Sequence, residues 1–211
     1  MYLSTLAILG AALAGPPPFP VAPGRAALQS LVSVGKWDGD AWVMSGSGTL
    51  VKSSLTDYEY EVITATHVLR SDSWFEPDPR IRVCGTMPIG EACIEVARGA
   101  VLPLPMADVS IIGIDMAIAK PARLGDKLNL GDKVILQGFP QGNMIQAPGA
   151  VIGHQDGYTK VLSWCEPGSS GGGVFRNGKF VGVVIAIQSY IIGGMELDLN
   201  GQCFVQPVFI E

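Results

Sequence analysis

The sequence predicts an all-β fold, and three observations support that prediction. Of the 211 residues, 27 are Gly, 48% are apolar and only 16% are charged. A chain with so many apolar and so few charged residues is not disordered. Abundant Gly with few Glu, Lys and Arg excludes a coiled coil. The apolar residues fall in short runs rich in Val, Ile and Thr, without a long run of helical period. The net charge of −5, with no Lys/Arg run longer than two, does not favour a nucleic-acid partner.

The N-terminus has the pattern of a secretory signal peptide. Residues 2–14 form a short apolar run that ends in Ala12-Leu13-Ala14, a small-x-small cleavage pattern. The run is too short for a stable membrane span, which needs roughly 20 residues. We therefore expect a signal peptide at 1–14, a Pro-rich spacer at 15–25 and a secreted or periplasmic protein. Because no Lys or Arg precedes the run, an apolar strand or helix of the folded domain is the alternative.

Short strands separated by turns are predicted along the rest of the chain. Asn177-Gly178, between two apolar runs, is typical of a type I′ hairpin turn. The predicted strands are Leu28–Val34, Ala41–Ser45, Thr49–Lys52, Tyr60–Ala65, Ile81–Cys84, Cys93–Val96, Val109–Ile114, Lys133–Gln137, Ala150–Gly153, Thr159–Trp164, Gly173–Arg176, Lys179–Ile187 and Cys203–Ile210.

A polar, Pro-containing stretch at 119–130 interrupts this series near the middle of the chain. We interpret it as a linker between two β units of similar size, at 26–118 and 131–211. Many short strands with turn signals between them favour barrels or sandwiches.

The four cysteines are an even number, which is compatible with disulfides in a secreted protein. Four cysteines allow three pairings. Cys84 and Cys93 flank a predicted hairpin turn and could face each other, which would leave Cys165 with Cys203. Four buried free thiols are the alternative. Neither a CxxC motif nor a His–Cys cluster is present, so no zinc, other metal or cofactor is expected.

One Gly-rich segment contains the parts needed for acyl transfer. Ser170 lies among Gly168, Gly171, Gly172 and Gly173, directly before an apolar strand. Gly permits backbone conformations that turn several N–H groups toward one point, which creates an anion-binding concavity. A hydroxyl beside that concavity would be a nucleophile, and the N–H groups of the concavity would form its oxyanion hole. A flexible Gly/Ser loop is the alternative.

Two further residues complete a possible triad. His67 ends the apolar run that begins at Glu61, and Asp108 stands at the start of another. A carboxylate entering an apolar strand is costly to bury unless it is paired. Asp115 is the competing carboxylate, at a strand end near the linker. The other histidine, His154, lies in a polar segment and is interpreted as a surface loop residue.

The order His, Asp, Ser and the residues around each resemble the trypsin/chymotrypsin-like serine proteases. The motifs that carry the resemblance are Ser45–Val51, Val62–Val68, Ala107–Ser110 and Gly168–Gly172. Leu130–Val134, followed by Gly138-Phe139-Pro140, is similar to the bacterial high-temperature-requirement branch. The resemblance implies two six-stranded antiparallel β-barrels with the active site in the cleft between them.

The resemblance also implies a role for each matching residue. Ser170 is the expected nucleophile, His67 the general base and acid, and Asp108 the residue that orients His67. Gly168, Ser169 and Ser170 form the expected oxyanion hole, with the N–H groups of Gly168 and Ser170 as donors. Ser169 stands where trypsin-like enzymes carry Asp, so activation through a newly cut N-terminus is not expected.

The expected substrate pocket contains no acidic residue. By position it is lined by Trp164, Ile185, Ala186 and Ile187, which argues against cleavage after Lys or Arg and favours small or aliphatic P1 residues. A one-residue shift of the alignment would instead bring Glu166 into the pocket.

The predicted function is therefore that of a serine endopeptidase acting on proteins or peptides. We expect a monomer, because the chain leaves no room for the peptide-binding domain common in the high-temperature-requirement branch. A catalytically silent homologue that serves as a binding module is the alternative from another class, and a viral polyprotein-processing protease is a variant of the first hypothesis.

Overall fold

A computed structural model describes residues 29–37, 40–70, 80–88, 90–105, 107–192 and 195–208. The predicted signal peptide and spacer lie outside these residues. The strands are β1 (Leu31–Trp37), β2 (Trp42–Lys52), β3 (Tyr60–Thr64), β4 (Ile81–Met87), β5 (Gly90–Val96), β6 (Val101–Pro103), β7 (Ser110–Ile114), β8 (Lys133–Gly138), β9 (Ile145–Gln155), β10 (Tyr158–Ser163), β11 (Gly173–Arg176), β12 (Lys179–Ile192) and β13 (Met195–Pro207). One four-residue helix, α1 (Thr66–Leu69), and two 3-10 turns, Arg98–Ala100 and Pro140–Gly142, complete the described elements. Within the described part of the chain, no helix has the length and apolar character needed to cross a membrane.

The first unit is a curled antiparallel sheet in the order β5-β4-β1-β2-β3-β7-β6. The second unit is a closed six-stranded barrel in the order β10-β13-β12-β11-β8-β9. The predicted all-β class with two barrel-like units is therefore confirmed. The first unit has seven strands where six were expected, because the three-residue β6 pairs with β7 at the sheet edge. Its Pro103 is tolerated there, since an edge strand need not donate every backbone N–H.

Two predicted strands, Ala41–Ser45 and Thr49–Lys52, are one continuous strand, β2. The glycines between them permit close packing rather than a turn. A Cβ at Gly48 would lie 2.7 Å from Cγ1 of Val62 and 3.0 Å from Cγ2 of Val32, so neighbouring core side chains occupy that space. Gly within a strand often marks such a close approach.

The predicted hairpin turn between β11 and β12 has the expected conformation. Asn177 and Gly178 have φ angles of 51° and 75°, and a type I′ turn requires positive φ at both central residues. Asp156 and Gly157 join β9 to β10 with φ angles of 51° and 84°, which is the same signature in a second hairpin.

The segment predicted as a linker is packed against both units. Ala122 N–H donates to the Leu50 carbonyl at 2.8 Å, and Gly125 N–H donates to the Phe180 carbonyl at 2.8 Å. Leu128 and Ala119 are buried. The segment therefore connects β2 of the first unit to β12 of the second through backbone hydrogen bonds.

Apolar side chains from the two units meet in one cluster. Phe175, Phe180 and Val183 of the second barrel pack with residues of the first unit, including Leu50 and Val62. Burial of apolar surface across this contact stabilises the relative placement of the units, at roughly 25 cal/mol per Å² removed from water.

Both disulfides expected from the hairpin at Cys84 and Cys93 are present: Cys84–Cys93 and Cys165–Cys203. Cys84 and Cys93 are directly opposite residues of β4 and β5, with Cα atoms 4.0 Å apart. Cys165 and Cys203 join the segment after β10 to β13. Both of these residues are fully buried, and the described chain contains no free cysteine.

Candidate active site

His67 is the second residue of α1, the short helix that follows β3. The strand ends in buried Thr64, and the next turn buries Val68 and Leu69. These apolar anchors hold the turn against the core and leave the His67 side chain 39% exposed. The imidazole therefore lies at the edge of the first unit, where β3, the helical turn α1 and the buried Val68 and Leu69 hold it.

Asp108 reaches His67 because β3 and β7 pair in antiparallel register. Thr64 lies opposite Ser110, so the end of β3 and the start of β7 share one edge of the sheet. The Thr66 and Ser110 hydroxyls, 2.9 Å apart, and a hydrogen bond from the Thr66 N–H to the Asp108 carbonyl join the two segments there. The juxtaposition of His67 and Asp108 therefore follows from the register.

The Asp108 carboxylate holds His67 through both of its oxygens. Oδ2 lies 2.5 Å from Nδ1 of His67, and Oδ1 accepts the His67 backbone N–H at 3.0 Å. A carboxylate on Nδ1 selects the tautomer whose Nε2 carries no proton and can accept one. The competing carboxylate, Asp115, follows Ile114, whose partner is Tyr60 at the other end of β3. The structure therefore brings Asp108, and not Asp115, to His67.

The loop before β11 presents two backbone donors. Gly168 and Gly171 have φ angles of 94° and 81°, which favour glycine. Ser169 N–H donates to the Glu166 carbonyl at 2.9 Å, and Gly171 N–H donates to the Val184 carbonyl at 2.7 Å. Among the described residues, no acceptor takes the N–H groups of Gly168 and Ser170.

This arrangement corrects the expected role of Ser169 in the oxyanion hole. Its N–H is used within the loop, and its Oγ accepts the Glu166 N–H at 3.2 Å. Ser169 therefore shapes the loop, and the donors open to a ligand are those of Gly168 and Ser170.

Ser47 of β2 attaches the loop that carries Ser170 to the first unit, a role that its sequence motif had not indicated. Its N–H donates to the Ser170 carbonyl at 2.8 Å, and its Oγ donates to the Gly168 carbonyl at 2.8 Å. The same Oγ accepts the Phe139 N–H at 2.8 Å. The available sequence signal was a Ser between two glycines in an apolar strand, which is buried only when its hydroxyl is satisfied.

Gly46 lies between the loop that carries Ser170 and the helix that carries His67. A Cβ at this position would lie 2.6 Å from Cγ2 of Val68 and 2.9 Å from the Ser170 carbonyl oxygen. Ser170 and the residue next to His67 therefore approach the same point of β2 from opposite units. This contact brings the backbone of Ser170 close to Val68, the residue that follows His67.

The residues of the predicted substrate pocket differ in exposure. Trp164 and Ile187 are half-buried, Ile185 is buried and Ala186 is exposed. Glu166 is half-buried, and its Oε2 accepts a hydrogen bond from Nε2 of Gln141 at 3.3 Å.

The second histidine and a cluster of possible metal ligands lie outside this site. His154 is an exposed residue near the end of β9, with Nδ1 3.1 Å from Oγ1 of Thr159. Cys84, Glu91 and Cys93 form a cluster of metal-ligand types, but the two sulfurs are bonded to each other.

Two β units, a His–Asp pair at the edge of the first and a Gly-framed Ser loop from the second define the chymotrypsin-like class of fold. The sequence matches the family described as trypsin-like peptidase domain over residues 46–183, about two thirds of the chain. The protein belongs to this trypsin-like peptidase family and is a peptidase. No curated protein matches the sequence.

Solved structures of bacterial protease domains share the fold. The Rv3671c protease of M. tuberculosis in its active form aligns with a TM-score of 0.63 and 19% identity, over 86% of this chain and 77% of that one. The MamO protease domain of Magnetospirillum magneticum, in its apo form, aligns with a TM-score of 0.60 and 18% identity, over 87% of this chain and 94% of that one. At this identity the likeness concerns the fold alone, and closeness to the high-temperature-requirement branch stays a prediction.

Proposed function

We propose that the protein is a serine endopeptidase in which Ser170 attacks the scissile carbonyl, His67 transfers the proton and Asp108 orients His67. The observation that carries this proposal is the pair of hydrogen bonds that the Asp108 carboxylate accepts from His67. They lie near the point of β2 where the Ser170 backbone and Val68 both approach Gly46. A purely structural Asp–His contact would not require an adjacent Ser loop with two open backbone donors.

The first half of the reaction forms an acyl-enzyme. Neutral His67 accepts the Ser170 proton as Oγ adds to the carbonyl carbon, and the carbonyl π electrons move to oxygen. The N–H groups of Gly168 and Ser170 donate to that oxyanion, and Asp108 stabilises the imidazolium. When the C–N bond breaks, His67 gives its proton to the departing amine. Ser170 is left as an ester.

The second half returns the enzyme to its starting state. Water gives a proton to His67 as its oxygen adds to the ester carbonyl, and the same two N–H groups stabilise the second oxyanion. Collapse of that intermediate breaks the bond to Ser170 Oγ, which regains its proton from His67. The products are a carboxylate and the amine released earlier.

For specificity, we propose small or aliphatic P1 residues. Trp164, Ile185, Ala186 and Ile187 offer no negative charge to a cationic side chain. Glu166 already accepts a hydrogen bond from Gln141, which supports its place outside the primary pocket. An apolar pocket separates substrates that differ by one methylene by only about 1–3 kcal/mol, so the preference is expected to be graded.

We also propose an oxidising location, secreted or periplasmic, for a monomeric enzyme. Two disulfides support this location, because such bonds persist outside the reducing cytosol.

Labelling with a fluorophosphonate tests the nucleophile. Wild-type protein should be labelled once, and Ser170→Ala should not be labelled. Ser33→Ala is the matched control, because its Oγ makes only a 3.5 Å contact with the Cys84 carbonyl on β4. Labelling of Ser170→Ala would refute the assignment, and an unlabelled wild type would favour the silent binding module.

Cleavage of a peptide library tests the P1 preference separately. Products that end in Ala, Val or Leu are expected. A preference for Lys or Arg would contradict the pocket assignment while leaving the nucleophile assignment intact.

A further inference from the structure

A cavity of about 650 Å³ lies where the linker crosses between the two units. It is lined by residues that precede β1, by the linker and by β8, β9 and β11, and includes Gln29, Lys120 and Arg123. The Lys120 N–H donates to the Gln29 carbonyl at 2.7 Å, so its wall joins two segments distant in sequence. His67, Asp108 and Ser170 are not among the lining residues.

Three cations line this cavity, and no carboxylate does. Lys120 and Arg123 come from the linker, and Lys133 begins β8. Within the described residues, none of the three has a carboxylate partner. All three are exposed, so solvent screens their mutual repulsion. Because no carboxylate lines the cavity, its lining carries a net positive charge in a protein whose net charge is −5.

The nearest acidic residue in sequence is already engaged elsewhere. Asp132 precedes Lys133, but its Oδ2 accepts two hydrogen bonds, from Nη1 of Arg176 at 2.5 Å and from the Asn129 N–H at 2.8 Å. The Asn129 hydrogen bond, followed by that of Arg176, lowers the pKa of Asp132. Its negative charge is therefore directed to Arg176 and is not available to neutralise the cavity.

The wall of the cavity also includes apolar side chains. Phe175 and Val134 are 7% and 3% exposed, and Pro121 and Ala122 of the linker also line the cavity. A volume of this size falls within the roughly 300–1,000 Å³ range of small-molecule sites. An apolar wall with several cations suits a ligand that has an apolar body and one anionic group.

We propose that this cavity binds a small amphipathic organic anion, a carboxylate or sulfonate attached to an aromatic or hydrocarbon body. The anionic group pairs with Arg123 and Lys133, and the body packs on Phe175. Because the ligand touches the linker and the second barrel together, it stabilises their contact. The site is separate from the predicted catalytic residues and does not rest on the proposed peptidase mechanism.

Titration of the full chain with 1-anilinonaphthalene-8-sulfonate tests this site. The probe should bind one to one, and Arg123→Gln and Lys133→Gln should each weaken binding about tenfold, as expected for the loss of one charged hydrogen bond. Lys160→Gln is the matched control, since Lys160 lies over the Phe204 ring and does not line the cavity. N-phenyl-1-naphthylamine, which has the same rings without the sulfonate, should bind at least about tenfold more weakly.

Charge-preserving variants separate recognition from misfolding. Arg123→Lys and Lys133→Arg should retain most of the affinity, and all five variants should unfold at the wild-type temperature without the probe. The proposal is overturned if the Gln variants bind the sulfonate as tightly as wild type, if Lys160→Gln weakens binding equally, or if the neutral probe binds as tightly as the sulfonate.

Discussion

Gly46→Ala should slow acylation of Ser170 without unfolding the protein. The added Cβ would lie 2.6 Å from Cγ2 of Val68 and 2.9 Å from the Ser170 carbonyl oxygen, whereas ordinary contacts begin near 3.4 Å. The neighbours must therefore retreat by about 0.8 Å and 0.5 Å. One neighbour, Val68, is adjacent to His67 and the other belongs to Ser170, so the retreat separates the proposed base from the proposed nucleophile.

The expected size follows from that displacement. A misplacement of about 1 Å between reacting groups costs about 100-fold in rate. Overpacking of a filled site costs about 1–3 kcal/mol of folding free energy. Gly46→Ala should thus lower the second-order rate of fluorophosphonate labelling about 100-fold, while thermal unfolding remains cooperative at a somewhat lower temperature.

A matched glycine and a rescue variant complete the experiment. Gly153→Ala is the control, because a Cβ there meets no atom within 4 Å. Gly46→Ala combined with Val68→Ala should recover part of the rate, measured against Val68→Ala alone, since two of the three close contacts are to Val68 methyl groups. Labelling of Gly46→Ala at the wild-type rate would show that Gly46 does not control the approach of Ser170 to His67.

Three other changes have defined outcomes. Asp108→Asn should lower kcat about 10⁴-fold with little change in stability, because the amide favours the wrong tautomer of His67; a loss below tenfold in peptide hydrolysis would contradict the orienting role. Replacing both Cys165 and Cys203 by Ala should cost about 4 kcal/mol by chain entropy for a sequence separation of 38, and an unchanged midpoint in urea would exclude that contribution. Asn177→Ala should destabilise the protein by about 1 kcal/mol in the same assay, because alanine tolerates a φ of 51° less well than asparagine; equal stability would show that the turn adapts at no cost.

Local patterns were sufficient to predict the fold class and most strands. Alternating or continuous apolar runs bounded by turn residues are properties of neighbouring positions, so β3 and β7 were recognisable without their partners. The Asn177-Gly178 turn was equally local, since its backbone preference lies in two residues. The two glycines inside β2 instead favoured a break between two strands, where the structure has one. Their reason for being small lies in Val62 and Val68, which are distant in sequence.

The candidate site shows the same division. The sequence singled out His67, Asp108 and Ser170 by their motifs, but it left Asp115 as a competitor and assigned nothing to Ser47. The register of β3 against β7 decided between the carboxylates, because it brings one end of each strand to the same sheet edge.

Most strands, the hairpin turn at Asn177-Gly178 and the residue types available for chemistry could be predicted from the sequence, because each depends on short-range backbone preference and burial pattern. Which distant groups meet became known only from the folded chain: Ser47 with the Ser170 loop, and the linker with both units. Such contacts join positions far apart in the chain. They depend on strand register and on the packing of two units, which no local pattern specifies.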